Sequence, residues 1–254
     1  MARDQGELQI VPDAASLYQV AAAEFVKAAA VSIETQGSFS VALSGGSTPR
    51  GMFALMAGDG LRGQVRWDRV FFFWGDERHV PPDHADSNFR MAREALLSHL
   101  SLRDDQVFRI HSENTDAAAA AQEYESTVRQ FFGVADGQFP RFDLVLLGMG
   151  PDGHTASLFP GTKALLERTR VAVANWVGKF NAYRVTMTAP AINASARVLF
   201  LIGGEDKAPA LKAVLEGPLE VSQLPAQLIQ PRDGSLVWLC DRASTHLLQT
   251  KKDA

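Results

Sequence analysis

Cysteine is almost missing from this chain: Cys240 is the one thiol in 254 residues. A lone cysteine cannot close an intramolecular disulfide, and its setting in Leu236-Val237-Trp238-Leu239-Cys240 predicts a buried strand thiol. Long apolar runs are missing too. No uninterrupted apolar stretch could cross a bilayer, and the opening MARDQGELQI has no apolar signal core. The expectation is a soluble, cytoplasmic protein. Positive charge is not in excess either: 25 Lys and Arg face 29 Asp and Glu, a net charge of -4 with a pI near 5.9. No chain-wide basic field attracts nucleic acid or anionic lipid, so neither is an expected partner, and any bound anion must be held by a local site. There is no internal repeat, no low-complexity tract and no Pro/Gly/Ser linker. Residues 1–254 are therefore expected to form a single domain, and Lys251-Lys252-Asp253-Ala254 a solvated tail.

What the chain does have is a hydrophobic period that switches repeatedly between strand and helix. Short apolar runs at 38–43, 70–74, 142–147, 197–202 and 235–239 are uniform enough to be covered on both faces. Weaker strands are expected at 7–11, 107–111, 171–176 and 183–187. Helical spacing occupies 14–34 behind Asp13, 49–57 with Pro49 at its first position, 87–99 behind Ser87, 115–132 and 206–216. This alternation predicts an α/β fold, a doubly wound, mostly parallel sheet flanked by helices in the Rossmann-like manner. In such a sheet, loops leaving the carboxyl ends of the strands form the ligand crevice.

Three such loops carry unusual residues. Ser44-Gly45-Gly46-Ser47-Thr48 joins a strand to a helix. Its glycines let backbone amides come close to a ligand, and the hydroxyls and the helix amino end suit a phosphate. A plain tight turn would be built the same way, and the lysine and spacing of a Walker loop are missing. Next comes Trp74-Gly75-Asp76-Glu77-Arg78-His79-Val80-Pro81-Pro82, with consecutive ionisable groups at a strand exit. Arg78 offers a planar fork for a phosphate or a carbonyl oxygen and Asp76 a carboxylate beside it, although a solvated turn would have the same composition. Downstream, Asn88 is a possible site residue or a helix cap. His79, Asp83, His84 and Asp86 match no zinc spacing, and no metal or other cofactor is expected.

The third loop is Gly148-Met149-Gly150-Pro151-Asp152-Gly153-His154-Thr155-Ala156-Ser157-Leu158-Phe159-Pro160. It satisfies G-x-G-x-x-G, yet Phe159-Pro160-Gly161 stops any helix a dinucleotide would need, and Arg168 with its neighbours occupies the place of a ribose-binding acid. The glycines instead present Asp152 and His154 on bare backbone. A histidine can activate water, and a neighbouring carboxylate can fix its tautomer. His99, His111 and His246 are expected to be structural. Finally, Lys207 in Gly203-Gly204-Glu205-Asp206-Lys207 and Arg184 in Tyr183-Arg184-Val185-Thr186 are either anion ligands or surface charges.

Taken together and in this order, SGGSTPRGMF, FFWGDERHVPPDHADSN, FDLVLLGMGPDGHTASLFPG, RVTMTAPAINAS and FLIGGEDKAPAL resemble the 6-phosphogluconolactonases, over about residues 41–210. The resemblance implies a fold shared with glucosamine-6-phosphate deaminase, and hydrolysis of 6-phospho-D-glucono-1,5-lactone to 6-phosphogluconate, a step of the pentose phosphate pathway. It makes the expected partner a small phosphorylated sugar lactone. It also implies His154 as general base, with Asp152 beside it, and Arg78 as a stabiliser of the lactone oxygen or the phosphate. Ser44, Gly45, Gly46, Ser47, Thr48 and Lys207 would cradle the phosphate, with Arg184 close by. The sibling deaminases carry tyrosine after the acidic pair, where this chain has Arg78. They also carry a glutamate shortly after Asp-Gly-His, where it has Ser157-Leu158-Phe159-Pro160. Both differences disfavour an isomerase-deaminase. A non-catalytic sugar-phosphate sensor is the alternative of another class; it commonly needs an attached DNA-binding or interaction module, and no separate basic domain is expected here.

Overall fold

The computed structural model of the chain describes residues 6–249; the Lys251–Ala254 tail lies outside the described residues. Nine strands are present among the described residues: β1 (Glu7–Val11), β2 (Phe39–Leu43), β3 (Val70–Trp74), β4 (Asp76–Arg78), β5 (Leu144–Leu147), β6 (Ala172–Val177), β7 (Ala182–Met187), β8 (Arg197–Ile202) and β9 (Ser235–Asp241). The helices are α1 (Ala14–Gln36), α2 (Ser47–Ala57), α3 (Asp59–Arg62), α4 (Asn88–Ala95), α5 (Ala117–Phe132), α6 (Ala189–Asn193), α7 (Ala208–Glu216) and α8 (Arg242–Thr245). Among the described residues no helix is long and apolar enough to cross a membrane.

Six strands form one sheet in the order β1-β9-β8-β5-β2-β3, with every neighbouring pair parallel. All six carboxyl ends therefore lie along one edge. The uniformly apolar runs occupy its centre: β2 and β5 are buried along their whole length and β8 at all but its first residue. Helix α1 covers it with Leu17, Ala21, Phe25, Ala29 and Ile33, one buried stripe at helical spacing. Asp13 caps its start by accepting from the amide of Ser16 at 2.8 Å, and Gly37, at φ 83°, ends it in the left-handed conformation a side chain would resist. A second packing centre gathers phenylalanines from four segments. Phe73 stacks on Phe108 at 4.7 Å and meets Phe131 and Phe142 edge-on. Cys240 is fully buried in β9 as expected, where burial pushes its thiol pKa up.

The remaining strands form a small antiparallel sheet ordered β4-β7-β6. The charged stretch at 76–78, expected as part of a loop, is its edge strand. Gly75 joins the two sheets: its N–H donates to the Leu43 carbonyl of the large sheet at 2.9 Å, and its own carbonyl accepts from Met187 of the small one at 2.8 Å.

Other boundaries also differ from expectation. Residues 107–111 are not a strand; a single bridge joins Val107 to Phe72. The reason is local. The Tyr124 hydroxyl, from α5, accepts from the Trp74 N–H at 2.9 Å and donates to the Trp74 carbonyl at 2.7 Å, so the edge groups of β3 that a continuing strand would use are taken. The helix expected at 87–99 stops at Ala95 and resumes as a 3₁₀ turn over Leu97–His99. The helix expected from 49 starts two residues earlier, at Ser47. Pro49 is thus its third residue, still in the first turn, where an N–H has no partner within the helix and its loss costs nothing.

Candidate active site

The loops after β2, β5 and β8, together with β4, surround a cavity of about 360 Å³ at the carboxyl edge of the large sheet. Its lining includes Ser44, Gly45, Gly46, Ser47 and Thr48 from the first loop, Asp76 and Arg78 from β4, Asn88 from α4, His154 from the third loop, and Lys207. Asp152 and Arg184 are not among the lining residues. Gly203, Asp206 and Gly148–Pro151, from the loops that carry Lys207 and His154, line it as well.

At one end the α2 amino terminus faces the cavity. Gly46 caps it at φ 105°, a conformation that suits only glycine, and the first-turn amides of Ser47 and Thr48 have no helical acceptor. Across from them, Gly204 turns at φ 99° and its N–H donates to the buried Asp241 carboxylate at 3.0 Å, which holds the Gly203-Gly204 turn in place. A Cβ built on Gly203 would come 3.5 Å from Thr48 Oγ1, so these two loops are in near contact. Lys207 ends the 3₁₀ turn Glu205–Lys207 with its ammonium 2.8 Å from Asp206. Backbone amides, hydroxyls, a helix amino end and one ammonium are groups whose chemistry suits an anion.

At the other end, the third loop folds into a tight turn. The N–H of Gly150 donates to the His154 carbonyl at 2.9 Å, and that of Gly153, at φ 74°, to the Gly150 carbonyl at 3.0 Å. The absence of a side chain at Gly150 is required: a Cβ there would fall 2.1 Å from His154 Nδ1. The loop carries no long helix, which removes the dinucleotide reading of its glycines. His154 Nδ1 lies 2.5 Å from Asp152 Oδ1, its ring stacks on Phe159 at 4.0 Å, and Asp152 Oδ2 accepts from Lys179 Nζ at 3.0 Å. Burial lowers the His154 pKa below its usual 6.5, more than the hydrogen bond and charge of Asp152 raise it. The imidazole is therefore neutral at neutral pH. With Nδ1–H donated to the carboxylate, Nε2 keeps its lone pair. Burial pushes Asp152 the other way, but its bonds to His154 and Lys179 outweigh that and hold it at about 2.

The small sheet anchors this loop through Ser157, a fully buried residue that touches all three of its strands. The Ser157 hydroxyl donates to Asp76 Oδ2 of β4 at 2.6 Å, its carbonyl accepts from Asn175 of β6 at 2.9 Å, and its N–H donates to Thr186 Oγ1 of β7 at 3.2 Å. Just before it, Ala156 sits at φ 47°, a left-handed conformation that a non-glycine residue adopts only where its surroundings enforce it. None of Ser157, Asn175, Thr186 and Lys179 stood out in the sequence. The only signal was a lone polar Asn175 in an otherwise apolar run.

The second loop divides its ionisable groups between the cavity and the frame. Glu77 is buried at 1% exposure and accepts from the amides of Arg78, Asn88 and Phe89 and from the Ser87 hydroxyl, so it ties down the start of α4. Burial raises its pKa despite those donors. Ser87 caps α4, and Asn88 does not; the Asn88 amide donates to the Asp76 carbonyl at 2.9 Å and carboxylate at 3.3 Å. Its Oδ1 presses on Gly45 so closely that a Cβ there would lie 1.8 Å away. Arg78 donates to the Asp86 carbonyl and leaves Nε buried without a partner. Arg184 pairs with Arg78 in register and lays its guanidinium over Phe180, 5.1 Å from the ring centre, rather than lining the cavity. His79 bonds to the Asn114 carbonyl and His84 lies near Asp86, away from any shared point.

The family profile of glucosamine-6-phosphate isomerases/6-phosphogluconolactonase matches residues 12–238. The chain is 40% identical to a 6-phosphogluconolactonase of Nostoc sp., an alignment that covers 93% of this chain and 96% of that one. It superposes on the structure of the 6-phosphogluconolactonase from Trypanosoma cruzi with a TM-score of 0.87 at 28% identity, covering 98% of both chains. A monomeric glucosamine-6-phosphate deaminase shares the fold at 21% identity, with a TM-score of 0.79 over 95% of this chain and 99% of that one.

Proposed function

Because the chain belongs to the glucosamine-6-phosphate isomerase/6-phosphogluconolactonase family, we propose that the cavity hydrolyses 6-phospho-D-glucono-1,5-lactone to 6-phospho-D-gluconate, the second step of the oxidative pentose phosphate pathway, with His154 as general base. The observation that carries this reading is the His154 imidazole, held through Nδ1 by Asp152, in the same cavity as the amino end of α2 and Lys207. His154 Nε2 takes a proton from water as the oxygen attacks C1. Arg78 and the glycine-loop amides favour the charge that develops on the carbonyl oxygen. As the tetrahedral species collapses, the bond from C1 to the ring oxygen breaks, and the imidazolium returns its proton to that oxygen. The products are a free hydroxyl and a carboxylic acid, which loses its proton to solvent to become the carboxylate. Ser44–Thr48 and Lys207 grip the phosphate, so binding at one end positions the reacting carbon at the other.

Phe159 bears on the choice between siblings. In the part of the loop where the deaminases place a glutamate, it gives an apolar face stacked on His154, which supports hydrolysis over ring-opening proton transfer. We read the whole chain as one domain acting in the cytoplasm on a small phosphorylated lactone, with no nucleic acid, membrane or cofactor involved. The test is a pH-stat assay on freshly generated lactone, corrected for spontaneous opening, beside a glucosamine 6-phosphate control. Accelerated acid release from the lactone with no ammonia from the amino sugar is expected. Lactone opening at the spontaneous rate would sink the proposal and leave a sensor.

A further inference from the structure

We propose that Lys179, at the tip of the β6–β7 hairpin, is a positioning residue of the hydrolytic pair: its ammonium fixes the Asp152 carboxylate and, through it, the orientation and charge state of His154. The inference rests on His154 being the general base.

Three observations converge on it. Asp152 has two oxygens with two different partners, His154 Nδ1 on Oδ1 and Lys179 Nζ on Oδ2 at 3.0 Å, so the carboxylate is clamped between them. Without the lysine, the carboxylate is held through Oδ1 alone, by the ring and the backbone N–H of His154, and its second oxygen loses the ammonium. The lysine itself comes from a rigid source. β6 and β7 pair from Ala172↔Met187 to Val177↔Ala182, and the chain reverses through the 3₁₀ turn Gly178–Phe180 with Asn181 at φ 49°, a left-handed position asparagine tolerates. The same turn also reaches His154 by a second route. Phe180 meets Phe159 edge-on at 5.6 Å, and Phe159 stacks on the imidazole. The Lys179 ammonium lies 5.6 Å from the Phe180 ring, and the Arg184 guanidinium also lies over that ring. This turn thus supports His154 from two sides, and Arg184 contributes to it without touching the cavity.

The charges around His154 give the proposal a sign. Asp152 on its own loop and Asp76 from β4 favour the imidazolium. Lys179 opposes them, and Arg78 and Lys207 line the same cavity. Exposed ion pairs contribute little to stability, and Lys179 is 57% exposed in its side chain, so its expected effect is on the pair it touches rather than on folding. Removing its charge leaves two carboxylates less opposed, which raises the His154 pKa. Because the base must be neutral, the acid limb of the pH profile moves to higher pH.

The test compares wild type, Lys179→Met, Lys179→Arg and His154→Ala, with kcat and KM for the lactone measured from about pH 5 to about pH 7.5. The His154 C2 proton is followed by NMR titration in the three proteins that retain it. In Lys179→Met, kcat is expected to fall by up to about 100-fold with KM little changed. Both the acid limb and the NMR titration move to higher pH, and Lys179→Arg returns them toward wild type. A purely structural role would move neither. Wild-type titration in Lys179→Met overturns the proposal, as does a shift in Lys179→Arg equal to that in Lys179→Met. If His154→Ala retains full turnover, the general-base reading itself fails, which distinguishes the two.

Discussion

At the Ser44–Thr48 end of the cavity, most of the contributing groups come from consecutive residues on one strand-to-helix turn, and the geometry follows from the turn. The His154 end is assembled from a loop, the three strands of the small sheet and a hairpin tip, separated by up to about a hundred residues along the chain. A charge can be held by directing amides at it, which a local backbone such as the first can do unaided. The second must hold an imidazole to within a fraction of an ångström and keep it neutral, which needs packing and charge supplied from elsewhere. A grip tolerates some slack. A proton transfer does not.

The largest expected effect breaks the chemical end alone. His154→Ala should lower kcat by about 10²- to 10⁴-fold with KM little changed, measured on fresh lactone after subtraction of the spontaneous rate. In the wild type, burial keeps the His154 pKa below its usual 6.5, so kcat/KM should hold through that pH as acid is added and fall only at lower pH. A limb at or above 6.5 would contradict the neutral, buried base. A smaller effect separates the frame from the chemistry. Ser157→Ala removes a donor to the buried Asp76 carboxylate and is expected to destabilise the fold by about 1–3 kcal/mol in urea denaturation, with a loss of kcat as the His154 loop loosens. Unchanged stability and turnover would show that the small sheet does not support that loop. The smallest effect falls on the grip. Lys207→Ala should raise KM and the Kd for 6-phosphogluconate by about tenfold while kcat stays within a few-fold, because one charge-assisted bond is lost from a site that keeps its amides. A fall in kcat with unchanged KM would place Lys207 at the chemical end and erase the contrast.

The same contrast decides what could be read from the residues in order. Runs such as Val70–Trp74 and Arg197–Ile202 match the strands residue for residue, because a strand covered on both faces must be apolar throughout. Asp152, His154 and the Ser44–Thr48 turn were legible because glycine, hydroxyl and histidine at a strand exit are local signals. The strand at Asp76–Arg78 was not: three charged residues have no strand period, and they pair with β7, more than a hundred residues later. Glu77 was one more ionisable residue in that loop, and only the fold turned it inward to the start of α4. Arg184 is charged in the sequence whichever way it points; only the pairing of β4 with β7 sets it on Phe180.

By itself, then, the sequence determined the elements and the chemical vocabulary. Periodicity selects helix or strand from nearest neighbours, and a titratable group on a glycine turn has few other uses. Only the tertiary structure decided that Lys179, Ser157, Asn175 and Thr186 gather around the His154 loop, because these are contacts made across strands, and a contact between distant segments leaves no mark on the residues either side of it in the chain.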